Sequence, residues 1–310
     1  MATTINSVFD VLSGLTVDEM LANPHFMPEQ FLESLEGEEV QKLFFRDETV
    51  TSNVIAYREA LPPSLEDEVE NVAEFGEIPV SDPVGGEWLT TAVNKVGIGI
   101  RVSWEQRKDN DGSAVIRELE ARRTTVLRRE ARDALAALAA ANVQELAAPV
   151  AWDQPGATPA TDVLDAAELI LGAEDGDGHY FEYVPNVLWI NPVSLNILKR
   201  NEEVQRLYIG DMASQNPIFK GVEDEPVLFG NIQVAKSFFV PKGEAYLGVQ
   251  GKAGFRGERE ERQATDFYAE HGESHLGGST MSFRSDVSHR RGYAVDGPKS
   301  VIKLTGLVTP

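Results

Sequence analysis

Residues 113–148 read SAVIRELEARRTTVLRREARDALAALAAANVQELAA, and this stretch decides how the rest of the chain must be arranged. It holds neither glycine nor proline, and the strong helix formers Ala, Leu, Arg and Glu dominate it. The composition predicts one long helix over Ser113–Ala148, opened by Asp111, Gly112 and Ser113 and stopped by Pro149. At 1.5 Å per residue it would run roughly 50 Å, more than a compact domain of this size needs. Ile116, Leu119, Val126, Leu127, Ala131, Ala134, Leu135 and Leu138 fall at helical spacing and predict a buried stripe. Arg122, Arg123, Arg128, Arg129 and Arg132 fall on the other faces. Such runs are commonly solvated or paired along the helix, as Arg122 with Glu118 would be. In a chain of net charge −22, with 28 Lys and Arg against 50 Asp and Glu, they are also the natural seat for an acidic partner.

A candidate for that partner lies upstream. Between Glu59 and Asn94 there is no lysine or arginine, while Glu66, Asp67, Glu68, Glu70, Glu74 and Glu77 crowd its middle. These six acids and the five arginines are the candidate subunit contacts. After the acidic stretch, Val96, Ile98, Ile100, Val102 and Trp104 alternate with polar residues and glycines, the period of a half-buried strand. Before it, Thr49–Tyr57 is rich in β-branched residues and is expected to be the matching strand. Together they predict a long hairpin arm with Leu61, Pro62, Pro63 and Ser64 toward its tip. An isolated two-stranded hairpin is marginal in water, so the arm needs a surface, and that surface is expected on a neighbouring subunit.

A length of 310 residues suits one large or two medium domains. The acidity excludes a protein whose main work is gripping nucleic acid, which needs clustered positive charge, but not one that lines a compartment holding it. Zero cysteines remove disulfides, thiol nucleophiles and thiolate metal sites together. Met1–Thr16 lacks the basic start and apolar core of a signal peptide, and no run reaches a membrane span, so a soluble chain made inside the cell is expected. Thr16 to Glu19 reads as a capping box for a helical turn through Leu21, and Pro28 opens another through Leu35. Beyond the long helix, residues 148–160 read as a Pro- and Gly-rich linker. Asp162 is expected to cap a helix over Val163–Leu171. Strands are expected over Tyr183–Ile190, Val227–Val240 (a hairpin around Gly230 and Asn231), Tyr246–Val249 and Ser300–Leu304, and a helix over Pro192–Arg200. From Gly251 to Tyr293, aromatic residues punctuate polar, strand-like runs. The class is α+β.

This order of parts, with Val187-Leu-Trp-Ile-Asn-Pro-Val193 before a helix and Gly230-Asn-Ile-Gln-Val234 before Pro241-Lys-Gly243, resembles the major capsid proteins of tailed bacteriophages, the HK97-like fold. The resemblance covers nearly the whole chain. It implies an N-terminal arm (1–46), an E-loop hairpin (47–103), a P-domain with its spine helix (104–160), and an A-domain with a central sheet (161–250). P-domain strands (251–293) and a C-terminal strand returning to the A-domain (294–310) complete it. It implies a structural subunit, not an enzyme, that needs no cofactor and self-assembles as hexamers and pentamers into an icosahedral shell around double-stranded DNA, without sequence-specific binding and without a membrane. A separate scaffolding protein, a portal and a decoration protein are the implied partners. The virion is the implied location, after assembly in the host cytoplasm. Some members cross-link a lysine near the E-loop tip to a P-domain asparagine. Here residues 59–94 hold no lysine and residues 251–293 no asparagine, so a non-covalent shell is expected. Only about 46 residues precede the hairpin, so a separate scaffold is expected rather than a cleaved leading segment.

Other patterns carry less. His271-Gly-Glu-Ser-His275 lacks the spacing of a metalloprotease helix, Asp175-Gly-Asp177-Gly-His179 lacks the closing glutamate of a calcium loop, and the glycines from Gly248 to Gly254 lack a phosphate loop's final pattern. Solvated loops and strand turns are the plainer readings. Pairs such as Glu258 and Glu260 read as charged surface. An encapsulin-type shell of the same fold around a protein cargo is the alternative reading, and an α+β enzyme a further one.

Overall fold

The computed structural model describes residues 12, 14–37, 39–62, 71–72, 80, 85–204, 227–228, 232–272 and 274–309. Thr16 and Glu19 form the expected reciprocal capping box at the start of α1 (Val17–Ala22). Helix α2 (Phe26–Leu35) begins two residues ahead of Pro28. Neither is long enough to be stable alone. Both are held by burying Met20, Met27, Phe31 and Leu35 against Val115, Leu119 and Leu127 of the long helix.

That long helix, α4, is shorter than the sequence suggests. It spans Gly112–Ala140, 29 residues, and is opened by the Asp111 carboxylate accepting from Ala114 N at 3.1 Å. The chain breaks at Asn142, whose φ is 50°, and Gln144–Ala147 becomes strand β5. Strand β5 pairs in parallel with β13 (Val301–Thr305), from Ile302↔Gln144 to Thr305↔Ala147. The helix-forming tendency of this tail loses to a sheet edge that satisfies its backbone and packs Leu146 against a core. Along α4 the buried stripe holds Val115, Leu119, Val126, Leu127, Ala131, Ala134 and Leu138, with Ile116 and Leu135 half-buried, and it also holds Arg123 and Glu130.

The hairpin is rearranged as well. Strand β1 (Phe45–Thr49) pairs in parallel with β10 (Gly254–Ala264), and β2 (Val54–Arg58) pairs with β3 (Trp88–Ala92), from Val54↔Ala92 to Arg58↔Trp88. Strand β4 (Asn94–Ser103) does not return along the outgoing strand. It pairs with β12 (Ser282–Ala294) over its whole length, where ten residues find ten partners and Ile100 and Val102 are buried beneath the helices. Trp104 is not its last residue but the first of α3 (Trp104–Lys108), capped by Ser103 and Gln106.

The resulting five-stranded sheet runs β1-β10-β12-β11, with β11 at Tyr268–Ala269 and β4 beside β12. Alternation along β12 sends Val287 and His289 toward α4, whereas Ala294 joins Ile55, Val93 and Phe255 beneath the hairpin. Helix and hairpin therefore lie on opposite faces.

Among the described residues the second sheet has six strands in the order β5-β13-β9-β6-β8-β7. Its members are β6 (Val187–Ile190), β7 (Val227–Leu228), β8 (Ile232–Lys236) and β9 (Ala245–Gly248), joined by β5 and β13. Strands β7 and β8 pair antiparallel as expected, while the turn at Gly230 and Asn231 lies outside the described residues. Helix α5 (Pro159–Leu171) starts earlier than expected, so Asp162 is not its cap. Asp162 sits inside the first turn, 3% exposed, and accepts from Trp152 Nε1 at 2.8 Å. Helix α6 (Pro192–Arg200) is capped by Asn191, whose Oδ1 accepts from Val193 N at 2.9 Å. Leu188, Ile190, Leu247 and Leu304 of the sheet pack on Val163, Ile170, Leu195 and Leu198 of these helices. The far half of α4 reaches this second body, where Ala134 and Leu138 meet Phe44, Trp189 and Val301. Among the described residues no helix is long and apolar enough to cross a membrane.

Candidate subunit-contact surface

The five arginines singled out on α4 have different environments. Arg122 is half-buried, its Nε donating to the Gly99 carbonyl at 3.0 Å and its Nη1 to Glu118 Oε2 at 3.0 Å, the helix pair weighed from the sequence. Arg123 is 8% exposed and donates to the Ser34 carbonyl at 2.9 Å, so it ties α2 to α4. Arg129 is exposed and paired one turn on with Asp133 at 2.9 Å. Arg128 and Arg132 are exposed, one turn apart, and meet no carboxylate within ion-pair reach among the described residues. The acidic candidates Glu66, Asp67, Glu68, Glu70, Glu74 and Glu77 lie outside the described residues.

Beneath this surface is a cluster that sequence reasoning missed. Glu39, just before the turn leading into β1, accepts from Arg262 Nη2 at 2.6 Å, Arg256 Nη1 at 2.9 Å and Arg291 Nη1 at 3.2 Å. Glu130 of α4 accepts from the same Arg262 nitrogen at 2.5 Å, from Arg291 Nη1 at 2.9 Å and from Gln41 Nε2 at 3.2 Å. Asp47 adds a carboxylate 2.7 Å from Arg256 Nε, and Glu258 one 2.6 Å from Arg291 Nε. Four stretches far apart in sequence are thus clasped by charge-assisted bonds.

Burial alone would raise Glu39, but its hydrogen bond with Glu130 and the charges of Arg256 and Arg262 reverse this and hold it well below the usual carboxylate range. Glu130 goes the other way: burial raises it, and neighbouring Glu39 adds to this against the arginines. His289, whose Nε2 is 3.5 Å from Glu130, is pushed down to about 3 by burial and by Arg291 and Arg262, so its imidazole is neutral. One sequence signal did mark the clasp: Glu130 falls between Val126, Leu127, Ala131 and Ala134 on the apolar stripe. Glu258 and Glu260, read as free surface charge, are paired with Arg291 and Arg290.

The remaining motifs resolve into local structure. Asp175 Oδ1 accepts from the backbone of Asp177 and His179, each at 2.9 Å, which closes the acidic turn on itself. His271 and His275 are exposed, and among the described residues no three His, Asp or Glu side chains converge to hold a metal. Gly251, at φ 66°, turns the chain between β9 and β10.

A helix threaded through two cores, a hairpin on the outer face of one sheet, and a six-stranded second sheet form one arrangement, and residues 86–304 match the family model described as phage capsid protein. The chain belongs to this phage capsid protein family. No curated protein matches it in sequence. Solved structures carry the same architecture at low identity. A structure from Mycobacterium phage Bobi is 15% identical with a TM-score of 0.55, over 87% of this chain and 90% of that one. The capsid of Myoviridae phage XM1 is 9% identical with a TM-score of 0.54, over 86% and 90%. A virus-like particle from Pyrococcus furiosus is 12% identical with a TM-score of 0.54, over 88% and 95%. The capsid protein therefore has the HK97-like fold, and its clasp joins the segment before β1 to the long helix and the five-stranded sheet that characterise the architecture.

Proposed function

We propose that this phage capsid protein assembles as hexamers and pentamers into an icosahedral head that encloses double-stranded DNA, held by non-covalent contacts. In that reading residues 1–46 are the N-terminal arm, 47–103 the E-loop, 104–160 and 251–293 the P-domain, and 161–250 with 294–310 the A-domain. The subunit is structural and not an enzyme. It is put together in the host cytoplasm with a separate scaffolding protein and a portal, and a decoration protein reinforces the finished virion. Contacts run between the acidic E-loop residues and the arginine face of α4.

The observation that carries this reading is the outer face of the hairpin, which no other element covers among the described residues. The outer face of β2–β3 leaves Trp88 62% and Val54 55% exposed, and residues 59–94 between and beside these strands contain no cation. Such an arm is explained by a second copy. Apolar packing of many modest contacts across a symmetric lattice sets the affinity, and charge sets the register. The absence of lysine from 59–94 and of asparagine from 251–293 supports a shell without covalent links. Electron microscopy of the protein expressed alone and with a scaffold from the same genome tests this, with closed shells or capsomer rings expected; a monodisperse monomer or dimer in both preparations refutes it. A ladder of covalent multimers on a denaturing gel of particles refutes the non-covalent part.

The likeness to the Pyrococcus furiosus virus-like particle supports a second reading, a shell around a protein cargo. The contents of purified particles, nucleic acid or an enzyme, decide between the two.

A further inference from the structure

The long helix and the second sheet meet across a cleft of about 830 Å³, formed by α4 and the turn after β8. Arg123, Arg128 and Arg132 line it from the helix and Lys236 from the end of β8, and among the described residues no carboxylate joins them. In a chain with 50 Asp and Glu against 28 Lys and Arg, an acid-free wall departs from the overall balance. Arg128 and Arg132 stand four residues apart on the exposed side of α4, a like-charge pairing that costs a helix stability. Lys199 of α6 is lowered from its ordinary value by burial and by the neighbouring charge of Lys236, so cations crowd the other wall too. Phe238 stands at the rim with 78% of its surface exposed. Positive charge gathered at this expense fits an anion from outside the subunit.

A phosphodiester chain suits the site. Arg128 and Arg132 are about 6 Å apart along the helix, and successive phosphates of one duplex strand are about 3.4 Å apart along its axis, so two long side chains each reach a phosphate of their own. An exposed aromatic beside the cations offers a face on which a sugar or base lies. The net charge of −22 repels a polyanion from the subunit elsewhere and confines contact to the cleft. We propose that this cleft is where the subunit meets the backbone of enclosed nucleic acid, with Arg128, Arg132 and Lys236 on phosphates and Phe238 against a sugar or base. This rests on the reading of a shell around DNA and narrows the contact to one cleft. It gives Arg128 and Arg132 to the nucleic acid and leaves Arg122 and Arg129, on the flank of α4 toward β4, to subunit contacts. The side of the five-stranded sheet that carries α4, opposite the hairpin, is then the inner side.

The test is fluorescence anisotropy of an end-labelled 20-base-pair duplex of arbitrary sequence, titrated with the unassembled subunit at several salt concentrations. Three accessible cations predict a log–log salt slope of about −2.7, so affinity falls about 40-fold between 50 and 200 mM salt. Arg128→Gln with Arg132→Gln should weaken binding at least tenfold at 50 mM and flatten the slope to about −1. Phe238→Ala should weaken it at least threefold and leave the slope unchanged. Lys108→Gln with Lys252→Gln, exposed positions on α3 and on the turn before β10, makes the same change in net charge and should cost less than threefold. Equal losses in the two double variants, or a slope that the arginine changes leave untouched, overturn the assignment. Poly-glutamate bound as tightly per charge, with the same loss on Arg128→Gln and Arg132→Gln, overturns it in favour of an acidic protein partner. Particles of the natural chain that hold protein and no nucleic acid overturn the DNA-filled head instead, and the anisotropy result still decides the cleft.

Discussion

The buried imidazole of His289 gives the subunit a stability that falls as the pH drops below about 6.5. Burial, Arg291, Arg262 and Arg256 lower its value from an ordinary 6.5 to about 3, outweighing Glu39, which acts in the opposite direction. Below pH 6.5 the unfolded chain takes up a proton at this position and the folded chain does not. Stability contributed by the neutral imidazole is therefore present above 6.5 and lost progressively as pH falls toward 3. The slope approaches about 1.4 kcal/mol per pH unit, so between pH 7 and 4.5 the loss is about 2.5 kcal/mol. The assay is urea unfolding of the unassembled subunit at half-unit pH steps, for the natural chain and for His289→Gln, which is neutral throughout. The other four histidines are exposed and are the same in both proteins. The natural chain should lose about 2.5 kcal/mol more than the variant over this interval. A difference of zero, or of opposite sign, refutes the reasoning. Opposite sign would mean that the pairing with Glu130 at 3.5 Å dominates and that the folded state holds a charged imidazole.

Three further outcomes follow from single contacts. Glu39→Gln removes a carboxylate shared by three arginines and leaves Arg256, whose side chain is 3% exposed, with Asp47 alone, so urea unfolding at pH 7 should show a loss of about 3–5 kcal/mol; under 1 kcal/mol would mean water takes over the role. Asn191→Ala removes both the cap on Val193 N and the bond from Nδ2 to the Val240 carbonyl at 2.7 Å, at a cost of about 2 kcal/mol by the same titration, and an unchanged midpoint would contradict it. Gly254→Ala would place a Cβ 2.0 Å from the Ala294 carbonyl oxygen, forcing β10 from β12, so the variant should be recovered mainly as insoluble protein, and natural solubility with an unshifted midpoint would count against that packing.

Local chemistry was legible in the residues themselves. The capping box at Thr16 and Glu19, the Asn191–Pro192 helix start and the period-two strand from Val96 to Val102 are each set by neighbours within a few positions, and each stands where the sequence puts it. The long helix and the α+β order of parts were legible for the same reason, and they carried the resemblance to phage capsid proteins. Pairing was not. Whether β4 returns along β2 or joins β12 depends on which partner offers ten matched residues and a helix to cover Ile100 and Val102, and that partner lies nearly two hundred residues away. The helix tail at Gln144–Ala147 yields to a parallel partner at the far end of the chain. The clasp is the clearest case. Only Glu130, set within an apolar stripe, stands out in sequence; Glu39, Arg256, Arg262 and Arg291 each look like ordinary surface charge there, and only the tertiary structure removes water from around all five and makes each the answer to the others.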